Sequence, residues 1–144
     1  MERKETIVLS RRLQRIKTEL TEERFIKKYA NKERLHEYIN SLMAGKGVTV
    51  SELVERSGIN RNYIYNILNG DRRSPSRDRV IAICIGLGAG FEETNRALEL
   101  VRHAALYPRD ERDVRIAVCI NRGVNNVREV SEILAGHGLE PLGI

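Results

Sequence analysis

No stretch of this 144-residue sequence approaches the roughly 18 consecutive apolar residues that a membrane-spanning helix needs, and its start lacks the charged-then-apolar pattern of a secretory signal. These absences predict a cytoplasmic protein with no membrane partner. Cysteine is scarce: Cys84 and Cys119 stand far apart, inside apolar helical patterns, with no CxxC or Cys/His cluster beside them. Both read as small core residues, and no metal is expected. His36, His103 and His137 are scattered, so none is placed beside a nucleophile or at metal-ligand spacing. The length allows a real core but no large enzyme cleft, which points to a non-enzymatic chain without a cofactor.

Excess charge of one sign is also scarce over most of the chain. The formal net charge is +5, and it gathers at one end. Residues 1–34 hold 11 Lys/Arg against 6 Asp/Glu, residues 35–76 hold 5 against 4, and residues 77–144 hold 9 against 10. A basic first third on a nearly neutral remainder fits a nucleic-acid-binding arm, and it also fits a solvated basic helix.

What is present is organised around residues 49–76, which read as two short helices joined by a tight turn. Thr49 is a good N-cap, Leu53 and Val54 give the first helix a buried side, and Gly58 supplies a left-handed residue after its last turn. Asn60 caps the second helix, residues 61–69, which Gly70 ends before a loop over residues 71–75. Ile64, Ile67 and Leu68 form its apolar face. Nearly opposite lie Asn62, Asn66 and Asn69, with Tyr65 beside them and Arg61 in the first turn. Asn can bond an adenine edge bidentately and Arg a guanine edge, so such a helix suits a major groove. A polar outer face is equally the default of any surface helix. The two capped helices across a Gly turn, with Arg72 and Arg73 at the exit, weigh toward the groove.

From about Leu35 to Gly88 these residues resemble the lambda-repressor-like helix-turn-helix family, called the XRE family in bacteria. Gly58, Ile59, Asn60, Ile64, Ile67, Asn69, Gly70, Arg72, Pro75 and Ser76 carry the likeness. Val50 stands where the family often has Gln. The resemblance implies that Arg61, Asn62, Tyr65 and Asn66 face bases, and that Asn69 and the Arg72 region approach phosphates. The full expected phosphate set is Thr49, Ser51, Asn69, Arg72 and Arg73, joined by Lys27 and Lys28. Tyr107 to Asp113 and Gly138 to Leu142 are similar to the junction and end of a group of bacterial XRE-type regulators. That likeness implies a bacterial transcriptional regulator without naming its target.

On the N-terminal side, Leu9, Leu13, Ile16 and Leu20 recur at steps of four and three, a short heptad stripe along one amphipathic helix over residues 5–20. Two heptads are marginal alone, so the stripe either packs on its own chain or pairs with a second copy. Thr21 is expected to cap a following helix with Phe25, Ile26 and Tyr29, ending near Asn31. Asn31 in turn is expected to cap a helix with Leu35, Tyr38, Ile39, Leu42 and Met43 inward.

On the C-terminal side, RDRVIAICIGLG at residues 77–88 returns 35 places later as RDVRIAVCINRG at residues 112–123, with seven identities in twelve. After one inserted residue, Leu134 answers Leu98. A repeat of this period marks stacked two-helix units, here residues 76–105 and 108–135. Phe91, Ala97, Leu98, Val101 and Ala105 are expected inward on a helix over residues 91–105, and Asn125 is expected to cap the last helix.

The sequence therefore predicts an all-α chain: a lambda-repressor-like helix-turn-helix bundle extended by a duplicated helical hairpin, with an N-terminal amphipathic helix. Its segments are a basic helical segment (1–30), the DNA-binding unit (31–105) and a C-terminal hairpin packed on it (106–144). The predicted function is sequence-specific reading of double-stranded DNA by a homodimeric regulator of repressor type. The alternative is a helical interaction module, antitoxin-like or an adaptor, whose C-terminal hairpin grips a protein partner.

Overall fold

The computed structural model describes residues 2–30 and 33–144, with the side chains of residues 2–5 outside that description. Among the described residues there are nine helices and no strand: α1 Glu2–Leu13, α2 Glu19–Tyr29, α3 Leu35–Lys46, α4 Val50–Ser57, α5 Arg61–Leu68, α6 Arg77–Leu87, α7 Phe91–Leu100, α8 Glu111–Asn121 and α9 Val127–Gly136. None of them is long and apolar enough to cross a membrane.

Helix α6 is the hub. Every residue from Val80 to Leu87 is buried, the expected state of a helix that is apolar all round. It packs on α3, α4, α7 and α9. Its approach to α4 is closest at Gly86, where an added Cβ would meet Leu53 Cδ1 at 2.9 Å and the backbone nitrogen of Ser57 at 3.3 Å.

The repeat is visible as structure. Ile81 and Ile116 are both fully buried, and Cys84 and Cys119 occupy matching core positions. Both helices end alike: Ala89 N–H donates to Cys84 O at 2.9 Å, and Val124 N–H to Cys119 O at 3.0 Å. Between the copies the RD dipeptides exchange partners. Arg77 donates to Asp113 at 3.1 and 2.8 Å, and Arg112 donates to Asp78 at 3.1 and 3.0 Å. The tail folds back across this junction. Arg112 holds the carbonyls of Glu140 and Pro141, Gly143 N–H donates to Asp78, and Leu142 is buried.

Several expectations are corrected. The stripe Leu9, Leu13, Ile16, Leu20 does not lie on one helix: α1 stops at Leu13, Ile16 falls in the connection, and Leu20 lies in the first turn of a new helix. The cause is Thr18, in extended conformation, whose hydroxyl accepts from Thr21 N–H at 3.3 Å and starts α2 three residues before the expected cap Thr21. Helix α1 packs on α7 of its own chain, and Leu9 is half-buried. Asn31 lies outside the described residues; α3 begins after Arg34, whose N–H donates to the Glu37 carboxylate at 3.2 Å. Helix α7 ends at Leu100, short of Ala105, because Arg102 turns left-handed and His103 N–H closes onto Leu98 O at 2.9 Å. Phe91, in the first turn of α7, is 39% exposed and not inward. Asn126, not Asn125, caps α9 by accepting from Glu129 N–H at 3.3 Å.

Candidate nucleic-acid interface

Helices α4 and α5 are built as their caps dictate. Thr49 Oγ1 accepts from Glu52 N–H at 3.1 Å, and the Glu52 carboxylate accepts from Thr49 N–H at 2.9 Å, a reciprocal capping box. Bonds from the Thr49 backbone, then its hydroxyl, hold the Glu52 carboxyl below its ordinary range, so the start of α4 already carries an anion. Gly58 takes φ 73°, a conformation suited to glycine, and turns the chain into α5. Asn60 Oδ1 then accepts from Tyr63 N–H at 2.8 Å.

The inner face of α5 is Tyr63, Ile64 and Ile67, all buried, with Leu68 half-buried. A polar clamp fixes the far end: Asn40 Nδ2 on α3 donates to Leu68 O and to His36 O, both at 2.8 Å. The outer face presents Arg61, Asn62 and Tyr65 exposed, with Tyr65 47% accessible, and Asn66 half-buried. Those four base-facing candidates therefore share one surface. Arg61 Nη2 also reaches back to Ser51 Oγ at 3.3 Å, which joins α5 to the start of α4.

Tyr63 is the residue that sequence reasoning missed. Two guanidinium groups lie over its ring, Arg72 at 4.7 Å and Arg79 at 4.5 Å from the centroid. The signal was available only as an aromatic one step off the apolar face. Its effect is to hold Arg72 against α5, where Arg72 N–H also donates to Asn66 O at 2.9 Å. Asn60, Arg61, Asn62, Tyr63, Asn66 and Arg72 together line an open hollow of about 410 Å³.

Of the remaining phosphate candidates, Asn69 and Arg73 share a hollow with Arg72 at the exit of α5, whereas Lys27 and Lys28 lie elsewhere. Asn69 is exposed and accepts from Asp71 N–H at 3.1 Å, and Arg73 lies exposed in the loop after α5. Lys27 and Lys28 stay exposed on α2, which buries no residue and is tied to α1 by the Arg12 to Tyr29 bond at 2.8 Å. Neither lysine lines the hollows beside α5.

A family model described as "Helix-turn-helix domain" matches residues 9–98, from within α1 to within the last turn of α7. The chain belongs to the helix-turn-helix domain family. DNA is the partner of such a unit. Helices α8 and α9 lie beyond the match. No curated protein and no solved structure matches the chain.

The chemistry elsewhere is quiet. Burial pushes the Cys84 thiol up to about 12 and also raises Cys119, which leaves both free thiols protonated core groups. Among the described residues no group of three or more His, Cys, Asp and Glu could hold a metal ion.

Proposed function

We propose that this helix-turn-helix protein is a sequence-specific reader of double-stranded DNA, a lambda-repressor-like (XRE-type) bacterial regulator acting in the cytoplasm without enzymatic activity. In this reading residues 31–105 are the DNA-binding unit, residues 1–30 a basic assembly segment and residues 106–144 a supporting hairpin. The observation that carries the reading is the shared outer face of Arg61, Asn62, Tyr65 and Asn66 on a helix pinned from behind by Tyr63, Ile64 and Ile67. Arg61 and the two asparagines supply the bidentate groups that base edges require. Asn69, Arg72 and Arg73 hold phosphates from the helix exit, and Ser51 from the start of α4. Thr49, engaged with Glu52, serves the helix itself. Lys27 and Lys28 meet the backbone further out.

One such helix reads few base pairs, so a dimer is needed for selectivity. The N-terminal helices offer a seam: Leu13 is 56% and Leu20 62% exposed, with Ile7, Val8 and Ile26 also uncovered. Leu9 and Ile16, both half-buried, border it. A second reading, a protein-interaction module, has one specific support, a groove between α8 and α9 where Val114 and Val118 are exposed beside Ile133. Selecting a genomic fragment library with the purified protein at physiological salt decides between them. Enrichment of a short site, as an inverted repeat, is the expected result; unbiased recovery of fragments favours the second reading.

A further inference from the structure

A cavity of about 560 Å³ opens at the exit of α5, between the start of α3, the loop after α5 and the end of α7. Arg34, Arg72, Arg73 and Arg102 line it, and its carboxylates are Glu33 and Asp71. Glu33 is already taken, by Arg96 at 3.0 Å. The ion pairs of the described residues engage Lys46, Arg56, Arg77, Arg96, Arg112 and Arg115, which leaves the four cavity arginines outside them. Four arginines against the carboxylates of Glu33 and Asp71 leave this hollow an excess of positive charge, which favours an anion there.

The backbone supplies a second, independent observation. Among the described residues, left-handed φ occurs at six glycines, Gly47, Gly58, Gly70, Gly88, Gly123 and Gly138, and at one other residue, Arg102 at 61°. A side chain is disfavoured there because Cβ crowds the following carbonyl. The repeat offers an internal comparison. Arg102 N–H donates to Glu99 O at 3.0 Å and His103 N–H to Leu98 O at 2.9 Å; in the second copy Gly138 N–H donates to Ala135 O at 3.0 Å and Leu139 N–H to Leu134 O at 2.9 Å. The same closure thus carries glycine where the position is idle and arginine where it borders the cavity. Strain kept at one site and absent from its twin marks a side chain that is used.

We propose that this cavity is a binding site for a phosphate group, with Arg102 held in its strained conformation as one of the guanidinium donors. The planar fork of arginine suits the tetrahedral oxyanion, and several arginines can share one such group. Two sources carry this chemistry: a phosphate of a DNA backbone or a free phosphorylated small molecule. Arg72 borders both this cavity and the hollow beside Asn62 and Asn66, so an occupant reaches the rim of the base-reading face. The site itself does not rest on base reading by α5.

Arg102→Gly is the decisive variant, because glycine relieves the backbone and makes the first copy like the second. Its melting temperature should equal or exceed that of wild type; a clear fall would overturn the strain argument and with it the proposal. Pyrophosphate titrated into the full-length protein at low ionic strength should bind wild type, and Arg102→Gly should weaken it about tenfold or more, the scale of a lost charge-assisted bond. A duplex of arbitrary sequence, bound across a salt series, separates the sources. If the salt slope falls by about one in Arg102→Gly, the occupant is a DNA phosphate. An unchanged slope beside the lost pyrophosphate binding assigns the site to a free phosphorylated molecule. Pyrophosphate that binds neither protein, or both equally, overturns the proposal even if α5 reads DNA.

Discussion

Arg77 on α6 grips Asp113 on α8 with two guanidinium bonds, at 3.1 and 2.8 Å, and their repeat counterparts Arg112 and Asp78 make the converse pair. The dipeptide that marks the repeat in sequence is thus what joins its two copies. Asp113 is 5% exposed and also accepts from Tyr107 N–H at 2.9 Å, so its removal leaves Arg77 only the carbonyls of Ala104 and Ala105 and strands a backbone donor. Asp113→Ala should cost about 3 kcal/mol. Asp78→Ala, at a more open pair, should cost less. Chemical denaturation of both variants measures this, and equal losses would contradict the asymmetry in burial.

Acid should act on the same junction. Burial pushes the Asp78 carboxyl up, but Arg112 and the Gly143 N–H outweigh it and hold the group below its usual range. Burial likewise raises Glu93, and the Gly90 N–H with Lys46 brings it below. A carboxylate depressed in the folded state contributes stability above its unfolded pKa, near about 4, and that contribution is lost as pH falls through the lower folded value. The melting temperature should therefore hold level above about pH 5 and drop below about pH 4. Asp78→Asn should flatten part of that acid limb; a limb of unchanged steepness would remove Asp78 from the account.

Two glycines inside helices should respond with opposite signs. Alanine normally stabilises a helix over glycine by roughly 0.5 to 1 kcal/mol. At Gly136, in the last turn of α9, a Cβ meets nothing within 4 Å, so Gly136→Ala should stabilise. At Gly86 the Cβ would press on buried Leu53 and on the backbone of Ser57, so Gly86→Ala should destabilise by about 1 to 3 kcal/mol. Thermal melts of the two variants suffice, and stabilisation by both would show that α4 yields without cost.

Assembly through the N-terminal helices is tested at residues that the single chain leaves exposed. Leu13→Glu with Leu20→Glu should leave the melting profile of the subunit intact. Sedimentation should then give the 16.5 kDa mass of one chain where wild type gives twice that. A double variant that remains a dimer would move the seam to another surface.

Local signals were legible wherever a cap was decided by its own side chain. Thr49 and Asn60 each accept from a backbone N–H three residues on, and Gly58 ends its helix left-handed, as the sequence predicts. Competing caps were not legible. Thr18 and Thr21 are both good starts, as are Asn125 and Asn126, and a local pattern does not choose between them. Long-range polar contacts were equally hidden. Asn40 clamping Leu68, Arg79 stacking on Tyr63 while holding Ile144 O, and Asn95 accepting from Leu106 N–H all depend on which helices meet. The outer face of α5 was readable because a 3.6-residue period fixes it; the cavity beside it was not, because its arginines come from three separate segments.

Binding to the selected duplex and to a scrambled one across a salt series, for wild type, Asn62→Ala and Arg72→Ala, tests base reading by α5 most directly. Losing a bidentate base contact costs roughly 1 to 3 kcal/mol and relaxes preference at one base pair, whereas losing a phosphate contact weakens all sequences alike and lowers the salt slope by about one. Asn62→Ala should therefore narrow the gap between the two duplexes with the slope unchanged, and Arg72→Ala should lower both affinities and the slope with the gap unchanged. Equal, weak binding of wild type to both duplexes, unaltered by Asn62→Ala, would contradict the account and leave α5 a scaffold.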